Sequence, residues 1–165
     1  MTSDRQQGRS AVVTTPSERE IHVVREFDAP RDRVFAAYTD PALVPEWWGP
    51  RGTTTVVDEM DVRAGGGWRF VSRDQDGAET AFRGTYREVT APERIVQTFE
   101  WEGMPGHVSV ETAEFEDLGD RTRITTTTIF HTSEERDGML GSGMERGMNE
   151  TYARLDELLE RQRSS

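Results

Sequence analysis

The sequence predicts an α+β domain: one strand, two short helices, a six-stranded antiparallel meander, and a long C-terminal helix packed on the curved sheet. Three observations carry this expectation. Between Thr53 and Phe130, apolar-alternating segments are separated by "RAGGG", "DQDG", "TAPE", "GMPG" and "DLGD", all of them turn compositions. The segments keep their apolar residues to one side and their arginines to the other, so one sheet face is dry and the other wet. The chain then changes to helical period near its end, with a single apolar stripe.

Taken in order, residues 1–16 are polar and aperiodic and end at Pro16, which predicts a disordered tail ahead of a domain spanning 17–163. Ile21, Val23 and Phe27 alternate with His22 and Glu26, the pattern of a strand. "DAPRDRVFAAYTDP" predicts a short helix with Pro30 in its first turn and Val34, Phe35 and Tyr38 on one face. Asp40 and Pro41 supply an N-cap and a first-turn proline for a second short helix. That helix leads into "PEWWGP" at 45–50, two large apolar side chains in a setting where burial is hard. In the meander, Trp68, Phe70, Phe82, Tyr86, Ile95, Phe99, Trp101, Ala113, Phe115, Ile124 and Phe130 are expected to point inward, and Arg69, Arg73, Arg83, Arg87, Glu100 and Arg123 outward. On the terminal helix, Met144, Met148, Thr151, Tyr152, Leu155, Leu158 and Leu159 form the stripe. Glu150 with Arg154 and Glu157 with Arg161 have the acid-first order that favours pairing along a helix.

Composition narrows the function classes. The chain has 165 residues, a formal net charge of −11 and no cysteine. Its twenty basic residues are all arginine, and they are scattered, so nucleic acid is a poor partner and so is an anionic membrane surface. Without cysteine or lysine there is no disulfide, thiol nucleophile, Schiff-base lysine or Walker-type phosphate loop. No run approaches the apolar length of a membrane span, and the expectation is a soluble, cytoplasmic protein without membrane insertion. Only 33% of residues are hydrophobic, so the core shares its volume with polar groups or encloses a space. Gly65-Gly66-Gly67 reads as a hairpin turn and "DQDG" as a turn lacking the remaining ligands of a calcium loop. His22, His107 and His131 lie on segments that need not converge, and no nucleophile stands with its base. No metal, cofactor or catalytic residue is therefore assigned.

The strings "REFDAPRDRVFAAYTDP" at 25–41, "EWWGP" at 46–50, "DVRAGGGWRF" at 61–70, "FRGTYREVTAPERIVQTFEW" at 82–101, "TAEFEDLGDRTRIT" at 112–125 and the helix from Gly147 resemble the START-like, helix-grip superfamily, also called SRPBCC. Within it they resemble homologues of the C-terminal domain of the heat-shock protein 90 ATPase activator. The resemblance covers about residues 20 to 160 and implies a cavity between sheet and helix, with the short helices and following loop at its rim. Trp47 and Trp48 would then close one end of the pocket or plug the core beside it. Gln97, Ser109, Glu111, Thr126 and Thr128 share the inward parity, where water or a ligand with oxygens would meet them, unless Ser109 and Glu111 sit solvated at an open mouth. Met139, Met144 and Met148 offer an adaptable apolar wall. The glycines of 138–147 predict a mobile lid over residues 136–147.

The ligand-binding set expected on these grounds is Trp47, Trp48, Trp68, Phe70, Phe82, Tyr86, Gln97, Phe99, Trp101, Glu111, Thr126, Thr128, Met144, Met148 and Tyr152. The function it implies is non-catalytic binding of a largely apolar small molecule, lipid-like or aromatic and polyketide-like. Two alternatives stay open: an enzyme of the polyketide cyclase/aromatase kind, and a module that modulates a chaperone ATPase. A homodimer is left open as well.

Overall fold

The structure is a computed structural model and describes residues 10–164. Eight strands form one antiparallel sheet: β1 (Val12–Thr14), β2 (Glu20–Phe27), β3 (Thr54–Met60), β4 (Gly67–Arg73), β5 (Glu79–Thr90), β6 (Arg94–Trp101), β7 (Val108–Asp117) and β8 (Thr122–Ile129). The spatial order is β1-β2-β8-β7-β6-β5-β4-β3. Strands β3 to β8 are the expected six-stranded meander, and β2 pairs with β8 to complete the sheet. Register shifts between Val57 and Glu59 and between Tyr86 and Glu88 mark bulges, which bend the strands and increase their local twist.

The strand β1 corrects the expected tail. Residues 12–14 pair with the free edge of β2, with Val13 opposite Val23, while residues 1–9 lie outside the described residues. A three-residue strand carries too little alternation to be read, although the β-branched run "VVTT" favours extended backbone.

Between β2 and β3 the chain forms α1 (Arg31–Thr39) and then, where a second α-helix was expected, only turns and a 3-10 helix at Val44–Glu46. Asp40 does cap, accepting the Ala42 N–H at 2.9 Å, but Pro45 follows too soon for a full α-turn to propagate. Beyond β8 lies another difference. Most of the expected lid is helical: residues 136–140 belong to a helix, α2 (Ser133–Leu140), started by a reciprocal capping box between Thr132 and Glu135, and 144–147 open the terminal helix. A turn at 141–143 separates α2 from the terminal helix α3 (Met144–Ser164).

Tyr152, Leu155, Leu158 and Leu159 of α3 are buried against Phe27, Val34, Phe35 and Ile124, each leucine worth about 1.5–3 kcal/mol by its burial. Strand alternation also sends Arg25 inward, where it is only 6% exposed. It donates two hydrogen bonds to Asp156 of α3, at 2.9 and 2.6 Å, and its guanidinium lies 4.6 Å from the Phe27 ring. The outer face carries ion pairs such as Arg69–Glu102, Arg83–Glu100 and Arg123–Glu116, as a wet face should.

Candidate functional site

The loop "PEWWGPR" is held from both sides. Trp47 is buried, and its indole N–H donates to the Ala37 carbonyl of α1 at 2.9 Å while its ring packs on Tyr38. Trp48 is half-buried and meets Phe70 and Phe82 edge to face, at 5.1 and 5.4 Å. Gly49 has φ +104°, and a Cβ there would stand 2.8 Å from Thr53 Oγ1, so only glycine turns the chain back at this point. The helix α3 then fastens the far side. Arg154 donates to the Gly49 carbonyl at 2.9 Å, Arg51 to Glu157 at 2.5 Å and Arg161 to Glu46 at 3.3 Å. These contacts replace the pairs expected along the helix between Glu150 and Arg154 and between Glu157 and Arg161.

Behind this loop, between the sheet and α3, lies a half-open cavity of about 600 Å³. Trp47, Trp48, Phe70, Phe82, Ile95, Phe99 and Met148 supply its apolar wall. Its polar side follows from strand register. Tyr86, Gln97 and Glu111 are successive cross-strand partners on β5, β6 and β7, and the adjacent row brings in Ala113 and Thr126. From the opposite side Tyr38 of α1 and Tyr152 of α3 reach the same space.

The electrostatics of this polar side are those of a dry site. Glu111 is enclosed by protein, and the surface it keeps faces the cavity; burial pushes its carboxyl from the ordinary 4.5 up to about 7. Among the described residues no group hydrogen-bonds it. Burial also raises Tyr86, to about 12. Tyr38 is raised chiefly by burial and further by Tyr152, to which it is hydrogen-bonded, and by the charge of Glu111. Tyr152 is raised by burial, with its hydrogen bonds to Thr126 and Tyr38 working against that. Chemically, the cavity offers an apolar slot with two linked hydroxyls, an amide and one carboxyl that is partly protonated near neutral pH.

Residues 28–160 match the family model described as "Activator of Hsp90 ATPase homolog 1-like protein". The chain belongs to this family. No curated protein matches it. Solved structures do: a protein of Rhodobacter sphaeroides at 25% identity, covering 91% of this chain and 97% of its own with a TM-score of 0.83. One from Arthrobacter aurescens, at 27% identity, covers 91% of each chain with the same TM-score. An HSP90 activator from Plasmodium falciparum, at 19% identity, covers 74% of this chain and 87% of its own at a TM-score of 0.52, a likeness of fold alone.

Of the residues expected to bind ligand in this family member, Trp47, Trp48, Phe70, Phe82, Tyr86, Gln97, Phe99, Glu111, Thr126, Met148 and Tyr152 line the cavity. Four do not. Trp68, 2% exposed, packs on Phe70 and Phe99 behind the wall. Thr128 is half-buried between its strand partners Ile21 and Glu111, and Met144 packs on the core at the start of α3. Trp101 is 43% exposed at the end of β6, where its ring folds over Gly103; a Cβ there would lie 2.4 Å from it. It lines a second groove of about 530 Å³ with Met104, Val108, Met139 and Phe99. Ser109 belongs to that groove too, buried and donating to the Phe99 carbonyl at 3.5 Å. Neither Ser109 nor Glu111 is at an open, solvated mouth. Tyr38 went unassigned to the site although its helical face was legible; only the fold turns that face toward Tyr152. His107 pairs with Glu135 and His22 with Thr14, and no metal-sized cluster of ligands occurs among the described residues. None of the described helices is long and apolar enough to cross a membrane.

Proposed function

We propose that the protein binds a largely apolar small molecule in the cavity between sheet and α3, without catalysis. The observation that carries this reading is the cavity itself: about 600 Å³, aromatic on one side and polar on the other, a size and lining suited to a small ligand. Trp48 at the mouth and Tyr86, Gln97 and Glu111 on the sheet would contact the ligand. The supporting experiment is native mass spectrometry of the protein after incubation with a host-cell extract, with intrinsic fluorescence and melting temperature followed against neutral flavonoids and polycyclic aromatics. A retained mass, a fluorescence change and a raised melting temperature are expected. Neither retention nor any response across the panel refutes the reading.

A second reading, an enzyme of the cyclase/aromatase kind, is favoured by one observation. A carboxyl titrating at about 7 beside two hydrogen-bonded tyrosines suits proton transfer. Turnover of a polyketide by the wild type, abolished in Glu111→Gln while binding persists, would establish it in place of the first. The family description also brings an Hsp90 ATPase activator role within reach of assay, and stimulation of purified Hsp90 by this chain is its direct test.

A further inference from the structure

Among the described residues Glu111 is the one carboxylate deep in the cavity, and none that carries a positive charge lines the space with it. Its immediate neighbours are neutral: Tyr38 from α1, Tyr152 from α3, Tyr86 from β5, Gln97 from β6 and Thr126 from β8. The other carboxylate among the described lining residues is Asp74, at the rim. Two arginines stand nearby, neither lines the cavity, and both have protein partners, although the buried Nε of Arg25 is left without one. Arg25 of β2, whose charge reaches Tyr38 and Tyr152, is bidentate to Asp156, and Arg154 holds the Gly49 and Pro50 carbonyls. A ligand carboxylate placed here would meet like charge with no cation to offset it. A ligand ammonium would find the reverse: an unpartnered carboxylate for its N–H donors and aromatic faces for its charge.

We propose that the cavity selects lipophilic amines, with the apolar skeleton against Trp48, Phe70, Phe82 and Phe99 and the protonated nitrogen at Glu111. This rests on the small-molecule reading above and deepens it. A protonated amine pairs with ionised Glu111, so binding drives the carboxyl to lose whatever proton it holds. With the carboxyl titrating at about 7, complexation at pH 7 releases about half a proton per ligand.

The test uses three probes on one skeleton, 1-naphthylmethylamine, 1-naphthalenemethanol and 1-naphthoate, in calorimetric titrations of the full chain. The wild type should bind the amine at least tenfold more tightly than the alcohol and the naphthoate most weakly. Titrations in two buffers of different ionisation enthalpy should show the proton release at pH 7. Glu111→Gln should lose both the amine preference and the proton release, with a urea melt of the variant reporting its fold independently of any ligand. An alcohol or a naphthoate bound as tightly as the amine by the wild type overturns the inference and leaves cavity binding standing. Failure of all three to bind overturns both.

Discussion

Glu111→Gln should make the protein more stable, and more so as pH rises. The wild-type carboxyl titrates near 4.5 when the chain is unfolded and at about 7 when folded, so between these values the folded state holds more protons than the unfolded one. Stability is therefore fully present below about pH 4.5 and declines as pH rises through about 7, because the folded state must ionise a buried group. Integrating the linkage for a single group with these two values gives a loss of about 2 kcal/mol between pH 5.5 and pH 8.5. The lower limit stays clear of the isoelectric point near 4.8, where an acidic protein of low net charge precipitates. Glutamine keeps the shape and cannot ionise, so the difference in stability between variant and wild type isolates the term. In urea melts at the two pH values, the advantage of Glu111→Gln should grow by about 2 kcal/mol, or about 4–8 °C in melting temperature for a domain of this size. An advantage that is equal at pH 5.5 and pH 8.5 would refute the reasoning, since it would mean that Glu111 is hydrated and titrates like any surface acid.

Two further perturbations test the parts that hold the cavity open. Asp156→Ala leaves the Arg25 guanidinium buried without its bidentate partner, and urea melts should register a loss of about 3–5 kcal/mol; a loss under about 1 kcal/mol would show that water reaches Arg25. Trp47→Phe keeps most of the ring but strands the Ala37 carbonyl, at a cost of about 1–3 kcal/mol by the same assay. An unchanged midpoint would mean that solvent takes the place of the indole N–H.

The meander was legible because its turns are written in glycine, proline and aspartate and its strands in alternation that is interrupted at the bulges near Val57 and Tyr86, two signals that agree over most of the stretch from Thr53 to Phe130. Alternation also located the cavity's polar side, since Gln97 and Glu111 share the parity of Phe99 and Ala113. Parity does not say how far along a strand the covering helix extends. Trp101 has the parity of Phe99 but lies past the end of the cavity, where α2 and the β6–β7 hairpin form the second groove. Thr128 fails for the same reason at the other side of the sheet. The helix α2 carried its own signal, Thr132 followed by Glu135, which the glycines at 138 and 141 obscured. The polar residues of α3 illustrate a different limit. Pairing at i,i+4 is a property of an isolated helix, and here Arg51 and the carbonyls of 49 and 50 compete successfully for Glu157 and Arg154.

The loop "PEWWGP" and Glu111 belong to one energetic argument. A space of about 600 Å³ left inside a domain of this size forfeits packing that larger side chains would supply, and an enclosed carboxyl with no partner costs more as it ionises. Both costs could be removed by ordinary substitutions, a glutamine at 111 or bulkier residues at Ala113 and Thr126. The tryptophans work in the opposite direction. Trp47 is spent on the core, through Ala37 and Tyr38, and this fixes the backbone that sets Trp48 across the mouth against Phe70 and Phe82. Three contacts from α3, and a hydrogen bond of 2.6 Å from Thr55 of β3 to the Trp48 carbonyl, then fix that backbone between helix and sheet. The chain thus uses buried aromatic area and hydrogen bonds to keep open a space whose floor is an unpaired acid. That arrangement supports the proposed binding reading, in which the site is formed before a ligand arrives.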